Sequence, residues 1–320
     1  MNQWKSSLRS FLSLVLILGL LMGNTLAAVA QSGGALNMIA NGVVYINGSP
    51  APAGTEVRAD VTNSVGTVVW SSDELPDPPV TDAAGGYVIS IPGAPGNQVK
   101  FYVLGLPSEE TRLAGKSWRS GGYVLDLNIS ASLVITPDGA TVKAGDTQDY
   151  TAVISDGHGN SVDVTASTAF STDDPKGSFA DATYTGGQVG TWTQTGDCSG
   201  LADTAGVTVE HGDATSVVLT PDPWTVVAGQ TVTYMLMAYD VMDNGWDVTA
   251  EGSYAIEAGA GGSWAANVYT AQSAGTWIVT GSLDGLSDDA TLTVDHAAAT
   301  SVVLTPDPGR PLLATPWRTR

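Results

Sequence analysis

Thr215–Asp222 reads T-S-V-V-L-T-P-D, and the same phrase occurs twice more: S-L-V-I-T-P-D at 132–138 and S-V-V-L-T-P-D at 301–307. Ser132 and Ser216 are 84 residues apart, Ser216 and Ser301 are 85. A fixed period of that size marks tandem copies of one small domain, each copy beginning with this phrase. Alternation of branched apolar residues, closed by Thr-Pro-Asp, reads as a first β-strand running into a turn.

Alignment of the copies extends outward from that phrase. Gly145 matches Gly229, Asp156 matches Asp240, Asn160 matches Asn244, and Asp163-Val164-Thr165 matches Asp247-Val248-Thr249. After a one-residue length difference, Gly177-Ser178-Phe179-Ala180 matches Gly262-Ser263-Trp264-Ala265, Tyr184 matches Tyr269, and Gly190-Thr191-Trp192 matches Gly275-Thr276-Trp277. The matched aromatics are what a shared core requires. Within the second copy Val232, Tyr234, Leu236 and Ala238 alternate with Thr231, Thr233, Met235 and Met237, the period-2 pattern of one half-buried strand. Ala290, Leu292 and Val294 alternate likewise with Asp289, Thr291 and Thr293. Units of this length with short strands, Gly-rich turns and no helical periodicity predict antiparallel two-sheet sandwiches at 131–210 and 215–295. The chain is therefore expected to be all-β, built of tandem antiparallel sandwiches behind an N-terminal signal-peptide helix.

The repeats resemble bacterial immunoglobulin-like repeats of adhesin-type surface proteins. The resemblance rests on T-P in the first strand, A-G-x-T before the second (Ala144–Thr147, Ala228–Thr231), D-V-T, and G-T-W near the penultimate strand. It covers 131–307 and departs from antibody domains in lacking a cysteine pair, since Cys198 is the one cysteine. Residues 34–129 differ from the repeats. Val43–Ile46, Thr55–Val61, Gly86–Pro92, Val99–Val103 and Tyr123–Leu127 read as strands, and Asn47-Gly48 as a hairpin turn. Their order, N-G-x-P-A-P-x-G-T-x-V-x-A (Asn47–Ala59), G-x-Y-x-I-x-I-P (85–92), V-x-F-Y-V-x-G (99–105), W-x-x-G (118–121) and L-D-L (125–127), resembles carboxypeptidase-regulatory-like, or prealbumin-like, modules. That resemblance implies a seven-stranded sandwich of the carbohydrate-binding-like fold and brings no fixed sugar site with it.

Residues 1–30 have the three parts of a signal peptide: Lys5 and Arg9, the apolar run Phe11–Met22, and Ala28-Val29-Ala30 before Gln31. The apolar run is shorter than the roughly 20 residues that span a bilayer. Export to the cell surface or medium is the expectation, with no membrane span in the mature chain. A third copy starts near residue 300, but after Pro308 the expected T-V-x-A-G is replaced by a segment with three Arg. Residues 300–320 are expected to be a truncated start with a disordered tail, through a reading frame shifted or ended near Gly309.

The 320 residues carry a net charge of −20, unevenly placed. From Asp126 to Asp307 there are 24 acidic residues against Lys143 and Lys176, a balance of −22, whereas 31–125 hold 8 acidic and 5 basic. Such a surface repels phosphate backbones and excludes nucleic acid as a partner. The sequence contains no G-x-S-x-G, Walker loop, H-E-x-x-H or C-x-x-C, and no catalytic or cofactor-binding residues are assigned. Asp240, Asp243, Asn244 and Asp247 offer oxygen ligands in one short loop, which reads either as Asx-type turns or as a calcium site, though the EF-hand spacing is missing. Asp173-Asp174 and Asp288-Asp289 read as solvated turn charges. His211 and His296 fall at the same position in the inter-repeat linker.

Four tryptophans are candidate contacts for a surface ligand, polysaccharide or protein. Trp70 and Trp118 are the tryptophans of the first module and read either as packing or as sugar platforms; Trp224 and Trp246 replace Ala140 and Val162 and so are not needed by the shared fold. The short linkers predict a semi-rigid rod. A non-enzymatic spacer or adhesion scaffold is the expectation, with a carbohydrate-binding accessory module or a piece of a larger secreted enzyme as alternatives.

Overall fold

The structure, a computed structural model, describes residues 37–108 and 120–303. The signal-peptide expectation, Trp118 and the tail beyond residue 303 lie outside the described residues. The regular structure of those residues is strand, apart from two three-residue 3-10 turns at Ser72–Glu74 and Thr165–Ser167. Among them no helix is long and apolar enough to cross a membrane.

In the first module Asn37–Ile46 is the organising strand. It pairs antiparallel with Gly86–Pro92 and parallel with Gly121–Val124 and Leu127–Ile129. It turns back into Ser49–Pro50 through Asn47 and Gly48, both at positive φ (51° and 80°), the conformation that makes Asn-Gly a hairpin dipeptide. A second sheet runs Val68–Ser71, Val57–Thr62, Gln98–Val103, Leu106–Pro107. Alternate residues of both sheets, among them Val44, Ala59, Val61, Ile91 and Val103, are fully buried between them.

The two repeats have the same strands in the same register. Ser132–Thr136 pairs with Thr151–Ser155 and that with Ser161–Asp163; the second copy repeats this with Ser216–Thr220, Met235–Tyr239 and Gly245–Asp247. The opposing sheet sets Ala140–Lys143 parallel to Leu201–Glu210, which pairs with Gly190–Cys198 and that with Ala169–Thr172. Its counterpart is Trp224–Val227, Leu286–Asp295, Gly275–Leu283 and Ser253–Ile256. Trp192 stands opposite Val207, and Trp277 opposite Leu292.

One element differs from the sequence expectation. The continuous strand expected from Thr231 to Ala238 is two strands, Thr231–Thr233 and Met235–Tyr239, in different sheets. Tyr234, fully buried, is the crossing point: its N–H leaves the ladder and donates to Asn267 O (2.9 Å). Tyr150 does the same in the first copy with Ala182 O. Burial alternation survives the change of partner, which is why periodicity alone reads it as one strand. Around each crossing tyrosine lies the matched aromatic cluster, Phe170, Phe179 and Tyr184 in one copy and Tyr254, Trp264 and Tyr269 in the other.

Among the described residues, all the buried apolar side chains but Ala260 fall into two clusters. One runs without a break from Met38 to Val209, through the first module and the first repeat; the other, Val217 to Val294, belongs to the second repeat.

Candidate functional site

Asp240–Asn244, the loop between Met235–Tyr239 and Gly245–Asp247, is the most densely hydrogen-bonded polar element between the repeats. It begins as a self-capped turn. Asp240 Oδ1 accepts from Met242 N (2.9 Å) and Asn244 N (3.0 Å), and Asn244 Nδ2 donates to both carboxylate oxygens (3.1 and 2.9 Å). The left-handed residue is Asp243 (φ 60°), not Asn244 or Gly245, so this is an Asx-type loop and not a two-residue Asn-Gly hairpin.

The two ends of this loop are buried at the neighbouring repeat. Asp240 and Asn244 are only 2% and 7% exposed. Asn244 Nδ2 donates to Gly187 O (2.8 Å), and Gly212 N donates to Asp240 Oδ2 (3.1 Å). Lys176 Nζ donates to Met242 O (2.7 Å) and Asp243 O (3.1 Å). Met242 packs on the apolar cluster of the first repeat. Val241 lies over Gly145, where a Cβ would come within 2.5 Å of its Cγ1. Gly145 thus serves both a turn at φ 90° and a close approach, while its match Gly229 has the same φ and open space above it.

The seat on the first repeat is organised by a buried carboxylate. Asp174, 4% exposed, accepts from Tyr184 Oη (2.6 Å), Gly187 N (2.9 Å), Gln188 N (2.9 Å) and Lys176 N (3.0 Å). It therefore fixes both segments that meet the second repeat. Reading Asp173-Asp174 as solvated turn charges is corrected here for Asp174: four donors replace its water. Asp288-Asp289 is corrected too. These residues lie in the strand Leu286–Asp295, and Asp288 Oδ2 accepts from Leu219 N (2.8 Å), as Asp203 does from Ile135 N (2.9 Å).

Electrostatics follow from this bonding. Burial works to raise the Asp240 carboxyl, but hydrogen bonds from Asn244, Gly212 and Met242 outweigh it and hold the group below its ordinary value. Asp174 is likewise depressed, its donors outweighing burial, and burial together with the Asp174 hydrogen bond pushes the Tyr184 phenol well above its usual range.

The four residues considered as calcium ligands are not arranged around one point. Both Asp240 oxygens face N–H donors, Asp247 Oδ1 accepts from Thr249 N (2.9 Å), and Asp243 is exposed at its positive φ. Among the described residues no three His, Cys, Asp or Glu side chains are grouped to hold a metal ion.

The tryptophans separate by what their rings touch. Trp192 and Trp277 donate through Nε1 to Gln188 O (2.6 Å) and Ser273 O (2.9 Å), four residues back, as parts of the scaffold. Trp246 is half-buried and lies against His211 (ring centroids 4.5 Å apart), so it belongs to the junction. Trp224 is 49% exposed on the strand Trp224–Val227. Trp70 lines a cleft of the first module with Asn37, Leu75, Asp77, Pro79 and Ser90. Lys176, Gly187 and Gly212 escape the sequence reading because each of these contacts joins a side chain to a backbone group distant in the chain, and a backbone group carries no residue-type signature; the one available signal was that the short linker must seat two sandwiches against each other.

No family model and no curated protein matches the chain. Solved structures similar to it include invasin, a bacterial integrin-binding protein, at 18% identity over 78% of this chain and 54% of that one, TM-score 0.31. Domains 5-6 of the S-layer protein SbsC are similar at 17% identity over 51% of this chain and 97% of that one, TM-score 0.21. Domains EC3-6 of protocadherin gammaB7 are similar at 14% identity over 81% and 72%, TM-score 0.32. The chain spans about half the length of the invasin it matches.

Proposed function

We propose that the chain is a non-enzymatic, exported modular protein of the cell surface or extracellular space, acting as a spacer or adhesion scaffold. Residues 34–129 form a prealbumin-like head, and immunoglobulin-like repeats at 131–210 and 215–295 hold it at a distance. Residues 1–30 supply the export signal, and the acidic repeats keep the rod soluble outside the cell. The partner is a surface ligand, polysaccharide or protein.

The observation that carries the reading is the clasp at the repeat junction, where Asn244 is tied at once to Asp240 of its own loop and to Gly187 O of the preceding repeat. A freely jointed chain has no use for a buried polar loop at its joint; a spacer that must keep its length does. Spin labels at exposed Asp181 and Asp284, in a Cys198→Ala background, test it by pulsed EPR. The expected result is one narrow inter-repeat distance that broadens in Asn244→Ala and Lys176→Ala. A broad distribution in the unmutated clasp would overturn the spacer reading.

A further inference from the structure

The geometry points to a saccharide-binding cleft on the first module, with Trp70 as its stacking platform and a neutral hexopyranose polymer as its ligand. This assignment stands apart from the spacer reading, since it concerns the head and not the joints.

The cleft measures about 460 Å³ and lies between the Val68–Ser71 strand with its following turn and the Gly86–Pro92 strand. Trp70 lines it beside a local irregularity. Trp70 pairs with Val61 but Val68 pairs with Thr62, so one residue is extra in the outer strand, a bulge that re-aims the side chains beside it. The wall behind the ring is anchored: Ser71 Oγ donates to Asp60 Oδ1 (2.7 Å), and Ser72 Oγ accepts from Ala59 N (3.0 Å). A platform fixed before binding loses little entropy when a ligand arrives.

The ring is half-buried and, like Trp192, packs partly against the core cluster; its polar tip is what differs from the scaffold tryptophans. Trp192 and Trp277 satisfy their Nε1 with backbone carbonyls, whereas Trp70 Nε1 donates to no described residue and is not among the buried unpartnered atoms. An aromatic face with a free polar tip beside water is the arrangement that recognises an amphipathic ligand. Polar groups complete it. Asn37 Nδ2 donates to Ser90 Oγ (3.0 Å), which leaves Asn37 Oδ1 free to accept and the Ser90 hydroxyl free to donate. Asp77 is exposed and has no hydrogen bond among the described residues.

One aromatic plane, a carboxylate, an amide oxygen and a hydroxyl suit the C–H face and vicinal hydroxyls of a pyranose. Among the described residues no cation lines the cleft and Asp77 is its one charged group, which disfavours phosphate, sulfate and uronate ligands.

The test is affinity electrophoresis of the whole mature chain in native gels containing hydroxyethylcellulose, mannan or dextran, with polygalacturonate and poly-L-proline gels beside them. Retardation by at least one neutral polymer is expected. Trp70→Ala should weaken it about tenfold or more, the size of effect seen when an aromatic anchor is truncated. Asp77→Ala, at an exposed residue, should weaken it several-fold with an unchanged melting temperature, and Trp224→Ala should leave it as it was. If Trp70→Ala does not fold, Asp77→Ala decides. No retardation by any of the three neutral polymers, retardation by polygalacturonate or poly-L-proline alone, or retardation unaffected by Asp77→Ala and by a folded Trp70→Ala would each overturn the proposal.

Discussion

Gln194 sits where no amide belongs. It is completely buried, both its Nε2 and its Oε1 lack partners, and the matching residue of the second repeat is Val279, also completely buried. The pairings are equivalent, Gln194 facing Ala205 and Val279 facing Ala290, so the second repeat shows the apolar solution to the same site. A buried amide without partners forfeits its hydration and gains nothing in return. Gln194→Val is therefore expected to stabilise the first repeat by about 1–2 kcal/mol, read from the urea midpoint of its transition; a loss of stability would mean that Gln194 is satisfied in solution. The crossing tyrosines show the milder form of the same imperfection. Tyr150 Oη and Tyr234 Oη are buried and unpartnered, and burial pushes the Tyr234 phenol up to about 12. Both keep their rings in the aromatic cluster, so the packing of the ring outweighs the unpaired hydroxyl at these two positions.

At the scale of the element, the Asp240–Asn244 loop turns a common turn into a joint, and its chemistry has a pH signature. Asp240 and Asp174 are both depressed in the folded protein. A carboxyl depressed on folding contributes stability that is fully present above its unfolded pKa, about 3.9, and is lost as pH falls through its lower folded value. The clasp should hold at neutral pH and weaken below about pH 4. Other carboxylates also titrate there, so the informative quantity is a difference. Asp240→Asn, which turns an amide toward the N–H donors of Met242 and Asn244, should be less stable at pH 7 and should show a shallower fall in urea midpoint between neutral and acid than the unmutated protein. Parallel falls in the two proteins would remove Asp240 from the account. The sequence foretells this loop only in part. D-x-x-D-N-G reads as a turn from its own residues, and the turn is there. Its burial depends on Lys176, Gly187 and Gly212, more than twenty-five residues away and contributing mostly backbone groups that carry no residue-type signature. Matching the copies also hides the difference between Asp156 and Asp240: both hold their own loops, but His158, Gly159 and Asn160 beside Asp156 are exposed. Strands and core aromatics were legible because period and repetition encode them locally; the change of sheet at Tyr234 was not, since alternation is blind to which neighbour supplies the hydrogen bonds.

For the whole molecule, the distribution of apolar contact sets how it comes apart. One cluster spans the first module and the first repeat, where Gly105 meets Val162 closely enough that a Cβ would lie 3.1 Å from the valine. The second repeat has its own cluster, and it joins the first repeat through a polar clasp with Met242 and Val241 as its apolar contribution. Cooperative units follow contiguous apolar cores, so the two clusters are expected to unfold as two units, the head with the first repeat and the second repeat by itself. Differential scanning calorimetry of the chain should resolve two transitions. Gln194→Val should move only the one that contains the first repeat. Tyr234→Phe, which removes the unpaired hydroxyl of the second core, should move only the other. Asn244→Ala should draw the second repeat's transition down while leaving the first nearly in place, because the clasp lends stability chiefly to the unit that inserts its loop. A single transition shifted by both core substitutions would show instead that the junction couples the entire chain, and that the clasp is strong enough to make the rod one cooperative body.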